Sequence, residues 1–304
     1  MSERELIARI RELFPRTGDD AAVIGTQVVT NDVLVENVDF TRDVPLRFVA
    51  RKSLTVNLSD IAAMGGRPQF AIVAIGSPEE SIASTIIEEL AVAARGNDVE
   101  IIGGDLSRAE QIFISVTLIG EAANPILRSG AKRGDRIYLS RPVGGAAAGL
   151  SLLQRGTVGA DYAEREFIES AKRRQLEPEA EVALGMKLAG IATSCIDVSD
   201  GLSTDLHHLC GASNVGALID GDRLPAFPDL PRFGPKLGIN VRDAVLHGGE
   251  EFALLFTSPL RESELSGRVG RPVYAIGRIT EERGVRINGE LLEPRGFDHF
   301  AKGF

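Results

Sequence analysis

Cysteine is nearly absent from this chain: Cys195 and Cys210 are the two it has, with no CxxC spacing, so a disulfide framework, a thiolate zinc site and a dithiol redox centre are excluded. A basic surplus is missing too. Lysine and arginine number 34 against 43 aspartates and glutamates, and the resulting net charge of −9 argues against the basic face of a nucleic-acid binder. Long hydrophobic runs are also wanting; the longest, over 70–75, has the length of a strand and cannot span a bilayer, so no membrane partner is expected. The charged start Ser2-Glu3-Arg4-Glu5 leads into an amphipathic helix through Leu6, Ile7, Ile10 and Leu13, which does not read as a signal peptide, and a reducing cytoplasm is the expected compartment. Nor is there a GxxxxGK[ST] phosphate loop, or the HRD and DFG sets of protein kinases.

What is present is a globular composition, 43% hydrophobic and 25% charged over 304 residues, enough for one large domain or two. Up to Gly120 the predicted order is helix, strand, helix, strand, helix, strand, strand. The strand over 28–35 is interrupted by Thr30-Asn31-Asp32, with Thr30 and Asp32 on one face. Ser77 caps a helix that has Pro78 at its first position and runs to about Ala94. Residues 99–105 form a strand running into a Gly103-Gly104-Asp105 turn. Ala122-Ala123-Asn124-Pro125 breaks the pattern and predicts domains over 1–123 and 124–304. Beyond it, small residues from Gly144 onward open a helix, and a helix-rich stretch covers 162–191 with a fresh start at Pro178. Residues 194–202 turn from strand to helix, and 252–257 is a further strand.

The stretch 54–66 organises the rest. Leu54, Leu58, Ile61 and Ala62 recur at helical spacing on one apolar face, with Ser53, Asn57 and Asp60 as a polar stripe beside it. Asp43 and Pro45 mark the start, Gly65-Gly66 and Pro68 the stop, so Asp60 falls near the last turn. A carboxylate there opposes the helix dipole by a few tenths to about 1 kcal/mol, which a bound cation would offset. Alone, Asp60 reads as a solvated surface residue. It has company, however: Asp20, Asp32, Asp105, Asp197 and Asp200 stand at other turns or element ends beside glycine or small polar residues. Asp200 also fits as the cap of a helix beginning at Gly201, and Asp20 and Asp105 as ordinary turn residues. If they converge, two carboxylates about 4 Å apart repel by roughly 4 kcal/mol at an effective dielectric of 20, so the cluster requires cations or raised pKa values. Such hard oxygen ligands suit Mg²⁺ shared with substrate phosphates, and imply phosphoryl transfer or nucleotide binding without a Walker loop.

The ordered motifs Gly18-Asp19-Asp20-Ala21-Ala22-Val23, Asn57-Leu58-Ser59-Asp60-Ile61-Ala62-Ala63-Met64-Gly65, Gly103-Gly104-Asp105, Arg128-Ser129-Gly130-Ala131, Asp197-Val198-Ser199-Asp200-Gly201-Leu202, Gly248-Gly249-Glu250-Glu251 and Gly296-Phe297-Asp298-His299-Phe300 span nearly the whole chain. Together they resemble those of the thiamine-monophosphate kinase family, within the superfamily of aminoimidazole ribonucleotide synthetase. The resemblance implies an α/β (α+β) fold in two domains: an N-terminal mixed sheet with helices, which pairs with its twin as a homodimer, and a C-terminal α/β domain. It implies the reaction of ATP with thiamine monophosphate to give ADP and thiamine diphosphate. Carried over by position, Asp20, Thr30, Asp32, Asp60, Asp105, Asp197 and Asp200 are expected to hold Mg²⁺. Gly104, Asp105, Arg128 and Ser199 are expected on the nucleotide, and Asp39, Glu250 and Phe297 on thiamine monophosphate. Asp32, Asp60 and Asp197 serve positioning and charge. No general base is needed, because a phosphate monoester is already a nucleophile.

The chain departs from the family pattern in places. Asn31 replaces a hydroxyl residue, and retains a carbonyl oxygen that could face a metal. Asp39 stands where the family has a histidine; it suits an aminopyrimidine and would repel a phosphate. Gly144-Gly145 lacks an expected acid, and Glu251 replaces an aspartate. Rival expectations are a related enzyme with another acceptor, or a non-catalytic subunit that binds nucleotide or metal. Against two branches of the superfamily stand the absence of cysteine before Cys195 and the ending Lys302-Gly303-Phe304 in place of a cysteine.

Overall fold

A computed structural model describes residues 3–156 and 161–297. Ser2, the Asp298-His299-Phe300 end of the last motif, and Lys302-Gly303-Phe304 lie outside the described residues. The elements begin α1 (Glu3–Leu13), β1 (Ala22–Ile24), β2 (Gln27–Val35), α2 (Leu46–Ala63), β3 (Arg67–Ser77), α3 (Glu80–Gly96), β4 (Glu100–Arg108) and β5 (Phe113–Glu121). There follow β6 (Arg136–Leu139), α4 (Gly145–Arg155), α5 (Tyr162–Leu176), α6 (Val182–Leu188), β7 (Ser194–Asp197), α7 (Leu202–Ser213) and β8 (Gly216–Ile219). The last are α8 (Leu230–Phe233), α9 (Val241–His247), β9 (Leu254–Ser258), α10 (Glu262–Val269), β10 (Tyr274–Thr280), β11 (Gly284–Ile287) and β12 (Glu290–Leu291). Two compact units result: Asp20–Pro125 with Leu176–Ala189, and Met1–Asp19 with Ile126–Gln175 and Gly190–Phe304.

The first unit has a five-stranded sheet in the order β1-β2-β5-β3-β4. β2 pairs antiparallel with β5 from Gln27 opposite Glu121 to Val35 opposite Phe113, so Thr30-Asn31-Asp32 does not interrupt it. Thr30 and Asp32 share the inner face with Val28 and Leu34, while Asn31 turns outward and donates to Ser115 Oγ and Thr117 Oγ1, both at 3.0 Å. Side-chain alternation therefore puts Asn31 on the face opposite Asp32. β3 pairs antiparallel with β5 and parallel with β4, the latter through the α3 crossover. β4 passes straight through Gly103-Gly104-Asp105, where a turn was expected. The need for glycine at 104 is close approach instead: a Cβ there would stand 2.0 Å from the Val73 carbonyl oxygen. Ser77 likewise closes β3, opposite Arg108, and does not cap α3, which begins at Glu80.

α2 ends where the glycine pair predicts, but it is enclosed nearly all round and has no open polar stripe. Ser53, Asn57 and Ser59 are as buried as Leu54, Leu58 and Ile61. It packs on β2 and β5, and also on α3 and α6. Its polar side chains are accommodated by its own backbone: Ser53 Oγ donates to the Ala50 carbonyl at 2.8 Å, Thr55 Oγ1 to Arg51 at 3.0 Å and Asn57 Nδ2 to Ser53 at 3.0 Å.

The second unit is built on a seven-stranded sheet, β12-β11-β8-β10-β6-β9-β7, antiparallel except between β8 and β11. Ile196, Leu202, Leu206, Leu209, Leu255 and Ile276 lie in its core, and Tyr138 stacks on Phe256 with ring centroids 5.4 Å apart. β9 begins at Leu254, not Phe252, whose φ of 46° cannot continue a strand. α7 begins at Leu202 without a side-chain cap from Asp200. Pro178 starts no helix; α6 opens four residues later at Val182. Among the described residues no helix is long and apolar enough to cross a membrane.

Candidate functional site

In the first unit Asp20, Asp32 and Asp60 meet at the end of α2, and the expected Asp105 is not brought to them. Thr30 Oγ1 donates to Asp60 Oδ2 at 2.5 Å, and carboxylate oxygens of Asp20 and Asp60 lie within 4.8 Å of each other. One turn before Asp60, Asn57 ties the helix to the strand, its Oδ1 accepting from the Asp32 backbone N–H at 3.1 Å. Burial raises the Asp32 pKa, the charges of Asp39 and Asp20 add to the rise, and a hydrogen bond with Asp60 opposes it. Asp39 Oδ2 accepts from the Val35 N–H at 2.7 Å and so also closes the turn after β2. Asp105 and Gly104 stand on β4, exposed, at the far edge of the sheet from β1.

Asp20, Thr30, Asp32 and Asp60 offer only oxygen, the donor chemistry of a hard divalent cation, and burial first, then the charges of Asp39 and Asp20, make an ionised Asp32 costly without one. Mg²⁺ fits this set. The raised pKa has a consequence for stability. With its folded pKa above the ordinary 3.8, Asp32 binds its proton more tightly in the folded chain, so stability falls as pH rises through that window and stays lowered at neutral pH. In metal-free buffer, Asp32→Asn is expected to melt higher than the parent at pH 8, with the difference shrinking toward pH 4. Thermal melts at the two pH values check this, and a lower melting temperature at pH 8 would contradict it.

In the second unit the loop after β7 gathers its own group. Asp197 closes β7 and is buried. The Val198 carbonyl accepts from Phe252 N–H at 2.8 Å, Ser199 from Glu250 at 2.7 Å and Asp200 from Phe297 at 3.2 Å. Three consecutive carbonyls thus bring Ser199, Asp200, Glu250 and Phe297 together. A Cβ on Gly296 would stand 2.3 Å from the Asp200 carbonyl oxygen, which explains glycine at that position. Glu250 and Phe252 have φ of 59° and 46°, left-handed conformations that cost about 1–3 kcal/mol each and persist only where neighbours enforce them. Arg128 donates its backbone N–H to Asp19 Oδ1 at 2.8 Å, and its carbonyl accepts from Ser213 Oγ at 3.0 Å, so the loop carrying its guanidinium is fixed at both ends of the residue.

Two acids here were given no role from the sequence: Asp205, which it did not single out, and Glu251, which it named only as a replacement for an aspartate. Asp205 is enclosed in the first turn of α7, where its Oδ2 accepts from the Gly201 N–H at 3.0 Å. Burial pushes its pKa well up, as do the charges of Asp200 and Asp197, against the Arg128 guanidinium and the Gly201 hydrogen bond. Glu251, fully buried, accepts from the N–H groups of Gly144 and Ala146 at 2.8 Å each. Its carboxylate thus caps the start of α4, where Gly144 has no side chain to do so. An acid in the first turn after Asp197-Val198-Ser199-Asp200-Gly201 was the available signal for Asp205; nothing local pointed to the Glu251 partners.

The AIR synthase related protein N-terminal domain model matches residues 18–122, and the C-terminal domain model matches 132–290. A thiamine-monophosphate kinase of Aquifex aeolicus is 34% identical over 93% of this chain and 92% of its own length. That of Escherichia coli is 35% identical over 93% and 91%. The solved structure of AaThiL complexed with AMPPCP and TMP superposes with a TM-score of 0.90 at 32% identity, covering 98% of this chain and 97% of that one. The crystal structure of thiamine monophosphate kinase from Aquifex aeolicus gives 0.86 at 31% identity, covering 97% and 100%. Hydrogenase maturation protein HypE, 18% identical with a TM-score of 0.70, shares the fold. On full-length identity above 30% and both matching domains, the chain belongs to the thiamine-monophosphate kinase family of AIR synthase related proteins.

Proposed function

We propose that this chain transfers the γ-phosphoryl group of ATP directly to the phosphate of thiamine monophosphate, giving ADP and thiamine diphosphate, in the cytoplasm. The observation that carries the reading is the oxygen-only group of Asp20, Thr30, Asp32 and Asp60 at the end of α2, in a chain 34% identical to a thiamine-monophosphate kinase. The complex of a relative with AMPPCP, an ATP analogue, and TMP supports the pair of substrates.

Asp20, Thr30, Asp32, Asp60, Asp197 and Asp200 are assigned to Mg²⁺; Asp105, also expected there, stands exposed at the far edge of the sheet, on the face opposite Thr30 and Asp32. When bound, the ion neutralises the triphosphate and the charge that develops on its γ-phosphoryl oxygens. The chain itself binds and orients. Gly104 lets a strand backbone without a side chain approach the nucleotide, Arg128 and Ser199 contact its phosphates, and Glu250, Phe297 and Asp39 contact thiamine monophosphate. An oxygen of the acceptor phosphate attacks the γ-phosphorus, the bond to the β-phosphate oxygen breaks, and ADP leaves with that electron pair. No side chain need remove a proton, because the attacking monoester oxygen is already anionic.

A homodimer through the outer face of the five-stranded sheet completes the proposal. Val33, Phe70 and Ile72 are exposed on that face by strand register, an apolar patch that a second copy would cover. The reading is tested by a coupled ADP-release assay with Mg·ATP and a panel of phosphate acceptors. ADP is expected to appear in step with thiamine diphosphate when thiamine monophosphate is supplied. Faster turnover of a different acceptor, or nucleotide binding with no turnover of any, would contradict it.

A further inference from the structure

We propose that Gln175, in the last turn of α5, is a positioning residue that sets the Glu250 carboxylate for thiamine monophosphate, and so governs affinity for that substrate and not for ATP. The inference rests on the reading of Glu250 as a contact to thiamine monophosphate. A glutamate outside regular structure has many rotamers open to it, and ordering it on binding would cost affinity. Here the ordering is done in advance. The side-chain amide of Gln175 donates to Glu250 Oε2, and Gln175 is itself buried, 7% exposed, on the helix.

The backbone under Glu250 is pinned as well. Arg174, beside Gln175, donates through Nη2 to the Glu251 carbonyl at 2.7 Å, and its Nε stands 3.4 Å from the Glu251 carboxylate. Arg141 Nη2 donates to the carbonyls of Glu251 at 2.9 Å and Phe252 at 2.5 Å. The Glu251 carboxylate in turn is fixed by the N–H groups that open α4. These contacts hold the backbone at 250 and 252, and Gln175 bonds the side chain itself. A neutral donor suits that task. A lysine or arginine would cancel the charge of Glu250, whereas an amide orients the carboxylate and preserves its charge for a cationic ring such as the thiazolium of thiamine monophosphate.

Steady-state kinetics of the full chain test the proposal. Gln175→Met, which keeps the volume and removes the donor, is expected to raise KM for thiamine monophosphate about tenfold, the scale of a lost hydrogen bond to a charged group, with kcat and KM for ATP unchanged within about twofold. Gln175→Glu, isosteric and setting carboxylate against carboxylate, is expected to cost more on the same parameter, and it carries the test if the Met variant folds poorly. In a Glu250→Ala background the Gln175 substitutions should have no further effect, which a merely structural role for Gln175 would not produce. An unchanged KM, an equal rise for ATP, or an effect that persists in full without Glu250 would overturn the proposal while leaving Glu250 as a substrate contact. If Glu250→Ala itself leaves KM unchanged, the reading beneath the proposal fails, and the proposal with it.

Discussion

Asp60→Asn is expected to reduce turnover of thiamine monophosphate at saturating Mg·ATP by about 10³-fold, the scale seen when a charge-stabilising group is removed from a site of this kind. Asparagine keeps the shape of the side chain and an oxygen that can accept from Thr30 Oγ1, so the hydrogen bond between α2 and β2 survives. What disappears is one negative charge at the helix end where the carbonyl dipoles already favour a cation. In water that charge costs little to remove; against a bound divalent ion in a partly enclosed site it costs several kcal/mol. The far-ultraviolet circular dichroism of the variant should match the parent. Turnover retained at ordinary Mg²⁺ concentrations would take Asp60 out of the metal site.

A second large effect is expected remote from the acids in sequence. Gly185 lies on α6, and a Cβ there would stand 2.0 Å from the Ala62 carbonyl oxygen, 2.8 Å from its carbon and 2.9 Å from its Cα. All three are backbone atoms of α2, which is wedged among β2, β5 and α3 and has no room to retreat. Gly185→Ala should therefore destabilise the chain by about 3 kcal/mol, at the upper end for overpacking by one methyl, although alanine is the better helix former. Because Ala62 is two residues from Asp60, activity should fall in the folded fraction as well. Urea unfolding measures the first effect and kcat corrected for folded protein the second. A midpoint unchanged from the parent would mean that α6 does not press on α2 as described.

Much of the architecture was legible before the structure, for identifiable reasons. The spacing of Leu54, Leu58 and Ile61 and the Gly65-Gly66 stop located α2 and put Asp60 near its end, because both signals are local. Strand alternation alone placed Thr30 and Asp32 on one face. The environment of α2 was not legible: Ser53, Asn57 and Asp60 read as an open polar stripe, yet Ser53 and Asn57 are buried and bond to carbonyls of their own helix. Polarity reports exposure only when no partner is at hand inside. Gly103-Gly104 misled in a similar way, since glycine serves turns and close approaches equally, and at 104 the crowding atom is a carbonyl some thirty residues away, on Val73. The segment 250–252 was least legible. Its shape is set by Arg141, Arg174 and the start of α4, none of which is near it in sequence.

The central claim is direct transfer between two substrates that the acids position and neutralise, with no side chain taking the phosphoryl group. The stereochemical course at phosphorus tests it. With ATP made chiral at its γ-phosphorus by oxygen isotopes, a single in-line displacement predicts thiamine diphosphate whose terminal phosphoryl group has inverted configuration. Retention would require an even number of displacements, hence a phosphorylated side chain, and would contradict this account.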